Sequence, residues 1–495
     1  MDEDSNDSRK FLESDDSEVE VVFWTKIKDE RLSKAPEGTF MIQTNSTRRE
    51  LSHLLNSLLE TEKNVSFDFL IDEVFLRTTI SEYMKMSNKT SEVKLNIEYL
   101  LTLNKPFLEA ADKIEDWIRS VCCSIRTDNP MVISGSYDGI IRFYDILSHT
   151  GVKHTKHEKE CESNGGSKKS SLELNVNNLL SIEEQPTAVL KVHSQQLNDS
   201  IYSKVWVSTM NGCIAGINYY RDNNKNCQFN VKNIVKKASF FPIEALCTFG
   251  ICENIISAGD AVGNIYIFSE DLDMKNDHNE ERIDINALNK NLFSEKSNYK
   301  LDDVKKMSLL NKNKPHSSSV TDLMSNGEYL LSASLDGNIK VTNIYNGETI
   351  CGWNSKFSIF SISSQYSSSN VICTSHDDGK VRIWDIRSGN TNQMELNISK
   401  GVGFNNVFDR NTRLIHRSRI FAHIEAVPSA QWSPFNNFMI GSVSHDKDIK
   451  ILDIRSPSMP LQVAKTDSKL LSLCWVNDRT LYTGGSSGEL IVCTF

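Results

Sequence analysis

Two rhythms of apolar residues divide the chain. Between Val19 and Leu100, period-two runs alternate with runs of helical spacing. VEVVFWT (19–25) alternates, and EGTFMIQT (37–44) follows a polar turn holding Lys34, Ala35 and Pro36, so both are predicted strands. Thr47, with Glu50 three residues later, forms a capping box in which each side chain satisfies the other's free backbone N–H, so a helix is expected from Arg48. Leu51, Leu54, Leu55, Leu58 and Leu59 recur at spacings of three and four, one stripe that must face a sheet. FDFLID (67–72) and VKLNIEYL (93–100) read as further strands, with TTISEYMK a helix of one or two turns between them. Residues 19–100 are therefore expected to form one small domain in which the leucine stripe of a helix covers a sheet.

From about Asp116 the pattern changes to short strands separated by Gly and Asp turns. ISGSYDGIIRFYDI, WVSTMNGCIAGINY, ISAGDAVGNIYIF, LSASLDGNIKVTNI, CTSHDDGKVRIWDI, GSVSHDKDIKILDI and YTGGSSGELIVCTF align as seven copies of strand, tight turn, strand. Their turn residues Asp138, Asn211, Val262, Asp336, Asp378, Asp446 and Ser487 are spaced by 73, 51, 74, 42, 68 and 41 residues. Two intervals match a bare unit of about 40–45 residues, and the others carry insertions. The excess falls near 148–180, 269–314 and 388–419, rich in Asn, Ser, Lys and Glu, and reads as mobile loops.

The period, the small-small-x-Asp-Gly turn and Trp384-Asp385 resemble WD repeats, whose blades have four strands each, so residues 114–495 are expected to form a seven-bladed β-propeller. The order of elements over residues 19–100 resembles the ubiquitin-like β-grasp fold, so the expected fold class is mostly β, a ubiquitin-like domain followed by a propeller. The signature is degraded elsewhere, with Tyr144-Asp145, Thr342-Asn343 and Leu452-Asp453 at the matching places, and units two and three depart furthest. Asp138, Asp336, Asp378 and Asp446 are expected to hold their turns by accepting backbone N–H bonds, and Ile140, Ile339, Val381 and Ile449 to fill the layers between sheets. The last unit ends after its third strand. Residues 101–113 therefore read as a linker and closing strand, placed at Lys105 to Ala111, with Pro106 tolerable on an outer edge.

Charge and cysteine usage narrow the function classes. The net charge is −10, of which −6 sits in the acidic tail 1–18, leaving a nearly balanced body with no global field for nucleic acid. That tail does not read as a secretory signal, and no run approaches the roughly 18 apolar residues of a membrane span, so an intracellular, non-membrane protein is expected. Eleven cysteines lack ligand spacing, and Cys213, Cys247, Cys373, Cys474 and Cys493 fall in predicted strands, which suits reduced core thiols.

No phosphate loop, nucleophile elbow or metalloprotease helix is present, so neither an enzyme nor a cofactor nor an intrinsic metal is expected. His154, His157 and Cys161 imitate a zinc site but lack a fourth ligand. Arg410, Arg413, Arg417 and Arg419 beside Phe421 suit RNA phosphates or an acidic partner, and equally a solvated insertion. Trp384-Asp385-Ile386-Arg387 resembles the box by which some propellers join cullin-type ubiquitin ligases as substrate receptors.

A ubiquitin-like domain ahead of a seven-bladed propeller, with SFDFLIDEVFLRTTISEYM and SEVKLNIEY, resembles the WD repeat-containing protein twelve family of ribosome biogenesis factors. The resemblance implies a nuclear, nucleolar factor of the pre-60S particle in a trimeric complex with Pescadillo and a Bop-type WD-repeat protein, on whose propeller its own propeller docks. It further implies that the ubiquitin-like domain is gripped by the Midasin ATPase through one acidic residue that ligates a magnesium ion held by the ATPase. By position within SEVKLNIEY that residue is Glu92, with Asn88 and Ser91 in the partner-binding loop. From pattern alone Glu92 is a loop carboxylate in water, near Lys89 and Lys94. The Notchless type, with eight blades and fuller Trp-Asp signatures, is the nearest alternative.

Overall fold

The computed structural model describes residues 17–27, 32, 34–61, 64–90, 92–124, 130–146, 171–176, 187–196, 203–221, 227–235, 238–249, 254–270, 305–327, 329–365, 368–385, 419–421, 423–456 and 459–495. These group into two compact units, one ending at Asn104 and one starting at Lys105.

The first unit contains β1 (Glu18–Trp24), β2 (Phe40–Gln43), α1 (Arg48–Leu58), β3 (Phe67–Ile71), β4 (Val74–Phe75), α2 (Ile80–Ser87) and β5 (Leu95–Leu101). The sheet order is β2-β1-β5-β3-β4, with β1 and β5 parallel at its centre and the other pairs antiparallel. Such an arrangement is a β-grasp. The two-residue strand β4 is absent from the sequence reading because Asp72 and Glu73, both at positive φ, reverse the chain after only five residues of β3. At the start of α1 the Thr47 N–H and hydroxyl both donate to Glu50, at 2.7 and 3.0 Å, and the backbone bond leads in pulling that carboxyl below its ordinary range. Leu51 and Leu55 are buried and Leu54, Leu58 and Leu59 pack beside them, against Val21, Phe69 and Ile97 of the sheet. Arg48 and Arg77 both reach buried Asp68 of β3, at 2.9 and 3.4 Å, tying the helix start to the sheet.

The second unit holds seven four-stranded antiparallel blades among the described residues, five of them separate sheets and two joined along their outermost strands. Their innermost strands are Ile118–Cys123, Val189–Gln196, Ile243–Thr248, Val320–Asn326, Ile359–Gln365, Ser429–Trp432 and Leu470–Asn477. The strand Phe107–Lys113 pairs antiparallel with the last strand, Glu489–Thr494, and completes the seventh blade, so the chain's first and last propeller strands lie side by side. Lys113 reinforces this closure with a 3.1 Å bond to Glu489, and Pro106 lies just ahead of the strand, where it costs no ladder bond. Ile118 and Val121 of blade one meet Cys474, Val476 and Tyr482 of blade seven in one apolar layer, which closes the ring. At one end of every blade the middle turn docks on the loop that enters the innermost strand, as in Tyr137 N–H to Trp117 O (3.1 Å) and Leu335 N–H to Ser319 O (3.0 Å).

Three expectations need correction. The insertions near 148–180 and 269–314 are not loops throughout. Ser171–Asn175 and Lys305–Asn313 are the outermost strands of blades one and three, and the third insertion ends in Arg419–Phe421, the outermost strand of blade five. An outer strand offers one face to solvent and carries few apolar residues, so its composition resembles that of a loop. The rest of those insertions lies outside the described residues. Second, the seven blades are not seven separate sheets, because the outermost strands of blades two and three pair in parallel at Asn233–Lys305 and Ile234–Lys306, joining two blades into one eight-stranded sheet. Third, Ile140 is half-buried, and the core position of its strand is Ile141, because the residue matching Ile339 comes three after the turn Asp rather than two.

Candidate functional site

Glu92 sits in a tight turn that the end of α2 aims. Thr79 caps that helix by accepting the Glu82 N–H at 3.3 Å, and Asn88, at φ 53 and ψ 38, ends it in the left-handed conformation. The Lys89 N–H returns to Met84 O at 3.0 Å, and Ser87 donates to Tyr83 O at 2.9 Å. Ser87 and Asn88 are therefore helix-terminating residues rather than part of a free tip, while Ser91 lies outside the described residues. The Val93 N–H closes onto Thr90 O at 3.2 Å, which places Glu92 third in a four-residue turn directly before β5. Glu92 is exposed, and its carboxylate has no hydrogen bond or ion pair among the described residues.

The neighbouring charges turn elsewhere. Lys89 donates to Asp72, which also accepts from the Tyr83 hydroxyl at 2.7 Å, and Lys94 lies 3.7 Å from Glu20 on β1. Glu98, on β5, is buried and paired with Lys26 at 3.4 Å. Of these acidic side chains, Glu92 alone has both oxygens open to a cation, and the exposed apolar side chains of Met86 and Val93 stand close to it in the chain. The Lys89–Asp72 bond spans 17 residues, too far apart for sequence pattern to reveal.

The blade-turn aspartates are all engaged within the fold, in two ways. In blades one and five the turn residue takes an arginine four residues on: Asp138 with Arg142 (2.8 Å), and Asp378 with Arg382 (2.7 and 2.9 Å). Burial works to raise the Asp378 carboxyl, but Arg382 and Lys380 outweigh it and bring it down to about 2. In blades four and six the partner is a histidine from the entering loop. His316 bridges Asp336 and Ser332 at 3.1 and 2.7 Å, and His423 bridges Asp446 and Ser442 at 3.0 and 2.9 Å. Both histidines precede their aspartate by about twenty residues, a regular spacing that the sequence reading passed over. In blade three the turn is held not from Val262 but from Asp260, which accepts from the backbone N–H groups of Val262 and Asn264 at 2.9 and 2.8 Å. These aspartates are structural and leave no free acid for chemistry.

A central cavity of about 820 Å³ runs between the innermost strands, lined by Arg119, Lys191, Glu244 and Asp322 among others. Arg119 and Glu244 lie 3.9 Å apart and Lys191 and Asp322 2.8 Å apart, so its charges are paired. Cys213, Cys247, Cys373, Cys474 and Cys493 are free and buried, and burial pushes the Cys247, Cys373 and Cys493 thiols up to about 12, far from thiolate reactivity. Among the described residues no group of three His, Cys, Asp or Glu side chains could hold a metal ion. His154, His157, Cys161, Arg387, Arg410, Arg413 and Arg417 lie outside the described residues. Only the backbone of Arg419 is placed, in its outer strand.

Comparison with known proteins matches residues 19–84 to the NLE (NUC135) domain, ending eight residues short of Glu92. Residues 113–145, 307–343 and 348–385 match the WD domain, G-beta repeat. Each of these units starts in, or one residue before, the outermost strand of one blade and ends in the third strand of the next, so consecutive blades share a sequence repeat. The ribosome biogenesis protein YTM1 of Debaryomyces hansenii is 23% identical over 523 residues, covering 97% of this chain and 98% of its own. The protein of the same name from Saccharomyces cerevisiae is 35% identical over 147 residues, 30% of this chain and 31% of its own. That of Botryotinia fuckeliana is 37% identical over 145 residues, 26% and 30% of the two chains. An NLE domain on a β-grasp and WD repeats closing into a seven-bladed ring thus stand in a chain that is similar over nearly its whole length to proteins named for ribosome biogenesis.

Proposed function

We propose that this protein is a non-enzymatic assembly factor of the large ribosomal subunit, acting in pre-rRNA processing and pre-60S maturation in the nucleolus and nucleoplasm. Its propeller docks on the propeller of a Bop-type partner bound to Pescadillo, and its ubiquitin-like domain is the handle by which the Midasin ATPase pulls it from the particle. Glu92 supplies the carboxylate that completes the coordination of a magnesium ion held by the ATPase. Magnesium takes oxygen ligands in near-octahedral array, and an anionic oxygen from a partner can replace a bound water. Force applied at this turn passes through the chain to the propeller, so ATP hydrolysis elsewhere becomes release here.

One observation carries the reading: an exposed glutamate at a turn, with no partner among the described residues, although two lysines stand within three residues of it in the chain. Relatives named for ribosome biogenesis along the whole chain supply the process. The seven blades favour this assignment over the eight-bladed Notchless type. The test is affinity purification of the full chain and of Glu92→Gln. The variant is expected to retain the Bop-type partner and pre-60S rRNA but to lose magnesium-dependent binding to the ATPase. Undiminished ATPase binding by Glu92→Gln would defeat the assignment, and recovery of cullin and its adaptor instead of pre-ribosomal particles would favour a ligase receptor.

A further inference from the structure

Two lysines flank Glu92, and neither faces it. Lys89, three residues before, is drawn down to Asp72 Oδ2 and lies 5.8 Å from the centre of the Tyr83 ring. Lys94, two residues after, is drawn to Glu20 on the adjacent strand at 3.7 Å. Exposed pairs of this sort add little to stability, so their main effect is on where the two lysine charges stand.

We propose that Asp72 and Glu20 are positioning residues that hold Lys89 and Lys94 away from Glu92, keeping its carboxylate free for the divalent cation carried by the partner. This rests on the reading of Glu92 given above. A lysine ammonium rides on a flexible four-carbon stem, and from three residues away it can reach a turn carboxylate. A freed lysine would act twice against binding: it would occupy the oxygens that the metal needs, and it would set a positive charge beside a doubly charged ion. Together Asp72, Glu20, Lys89 and Lys94 are neutral, so the net negative charge of the five groups resides on Glu92.

Asp72 suits this task better than a loop residue would. It directly follows β3 at φ 49, and its Oδ2 also receives the Tyr83 hydroxyl, so its position is set by the sheet and by α2. Burial and the Asp72 carboxylate both push the Tyr83 phenol upward, which keeps it a donor at any physiological pH. Lys89 is thus held between a fixed carboxylate and an aromatic face.

The experiment measures binding of the full chain to the recombinant magnesium-loaded part of the ATPase that holds the ion. Asp72→Asn retains an acceptor for Tyr83 and tolerates the left-handed backbone, but no longer holds Lys89 by charge. It is expected to bind about fivefold more weakly at low salt, the scale on which an exposed ion pair competes, with the loss shrinking as salt rises. Adding Lys89→Gln to it is expected to restore wild-type affinity. Asp72→Asn binding as tightly as wild type at low salt, or a loss that Lys89→Gln does not reverse, overturns the proposal. Glu92→Gln serves as the separate control: if it alone abolishes binding, the reading of Glu92 stands whatever Asp72 does. If it has no effect, that reading fails and this proposal fails with it.

Discussion

The Lys191 ammonium donates to the Asp322 carboxylate at 2.8 Å, although the two side chains come from the innermost strands of blades two and four. Both are the third residue of their strand, at a register shift that recurs in most blades. The same position holds Ser472, Ser120 and Ser361 in blades seven, one and five, and each of these accepts a backbone N–H from the next blade, at 3.0, 3.1 and 2.9 Å. Asp322 does likewise for the Ile362 N–H at 3.1 Å, and its second oxygen is left for Lys191. Blade three, between them, has Ala245 there, a side chain short enough to let the lysine pass.

This double engagement makes the two partners unequal. Asp322→Ala removes an interblade bond and leaves Lys191 without its counter-charge, so it is expected to lower unfolding free energy by about 2–3 kcal/mol. Lys191→Met leaves Asp322 bonded to Ile362 and is expected to cost about 1 kcal/mol or less, since the lysine is partly exposed. Urea unfolding of the two variants measures the difference, and equal losses would mean that the Ile362 bond contributes nothing.

How much of this was legible in the sequence follows from the range of each interaction. Local signals read well: the Thr47–Glu50 cap, the α1 leucine stripe and the backbone bonds to Asp138, Asp336 and Asp446 depend on residues within a few positions of one another. Contacts that chain folding alone brings together did not. Lys191 and Asp322 are 131 residues apart, and nothing in either neighbourhood names the other. Blade three misled because its acid moved two places, from the position of Val262 to that of Asp260, while doing the same work. The exposure of Glu92 was readable as a polar turn before a strand, but its isolation from Lys89 and Lys94 was not, since nearness in sequence suggested the opposite pairing.

Buried histidines set the acid limit of the propeller. His376 is covered and accepts from or donates to Thr374 at 2.8 Å, and burial, aided by nearby Arg382, pushes it down to about 3. The His423 ring is fully covered, and burial takes it down to about 4 despite Asp446. Both are neutral when folded and protonate near pH 6.5 when unfolded, so the unfolded chain binds more protons throughout the interval between. Stability is therefore complete above pH 6.5 and falls as pH drops toward the folded values. His376 is expected to account for about 2 kcal/mol of the loss between pH 7 and pH 5. The Asp378 carboxyl, at about 2, contributes its own loss only below the ordinary carboxylate range and does not overlap this window. Unfolding of wild type and His376→Gln at pH 7 and pH 5 is expected to show a shallower decline for the variant; parallel declines would remove His376 as the cause.

In its middle turn, blade six carries backbone strain that the middle turns of the other blades avoid. The middle turns of blades one, two, three, four, five and seven place Gly139, Gly212, Gly263, Gly337, Gly379 and Gly488 at φ between 73 and 97, and blade six places Lys447 there at φ 71. A side chain in that region costs about 1–2 kcal/mol from contact of its Cβ with the backbone, while glycine loses some conformational freedom on folding. Lys447→Gly is therefore expected to stabilise the propeller by roughly 0.5–1 kcal/mol, seen as a higher urea midpoint with an unchanged slope. The bonds at this position are made by the Lys447 carbonyl to the Thr466 N–H and hydroxyl, at 2.9 and 2.8 Å, and they survive the change. The converse substitution meets a harder wall, because a Cβ on Gly212 would lie 2.0 Å from the Ser239 carbonyl oxygen. Gly212→Ala is expected to lower the midpoint clearly. If Lys447→Gly lowered it as well, the lysine side chain would have to be packing on its own turn strongly enough to outweigh the strain.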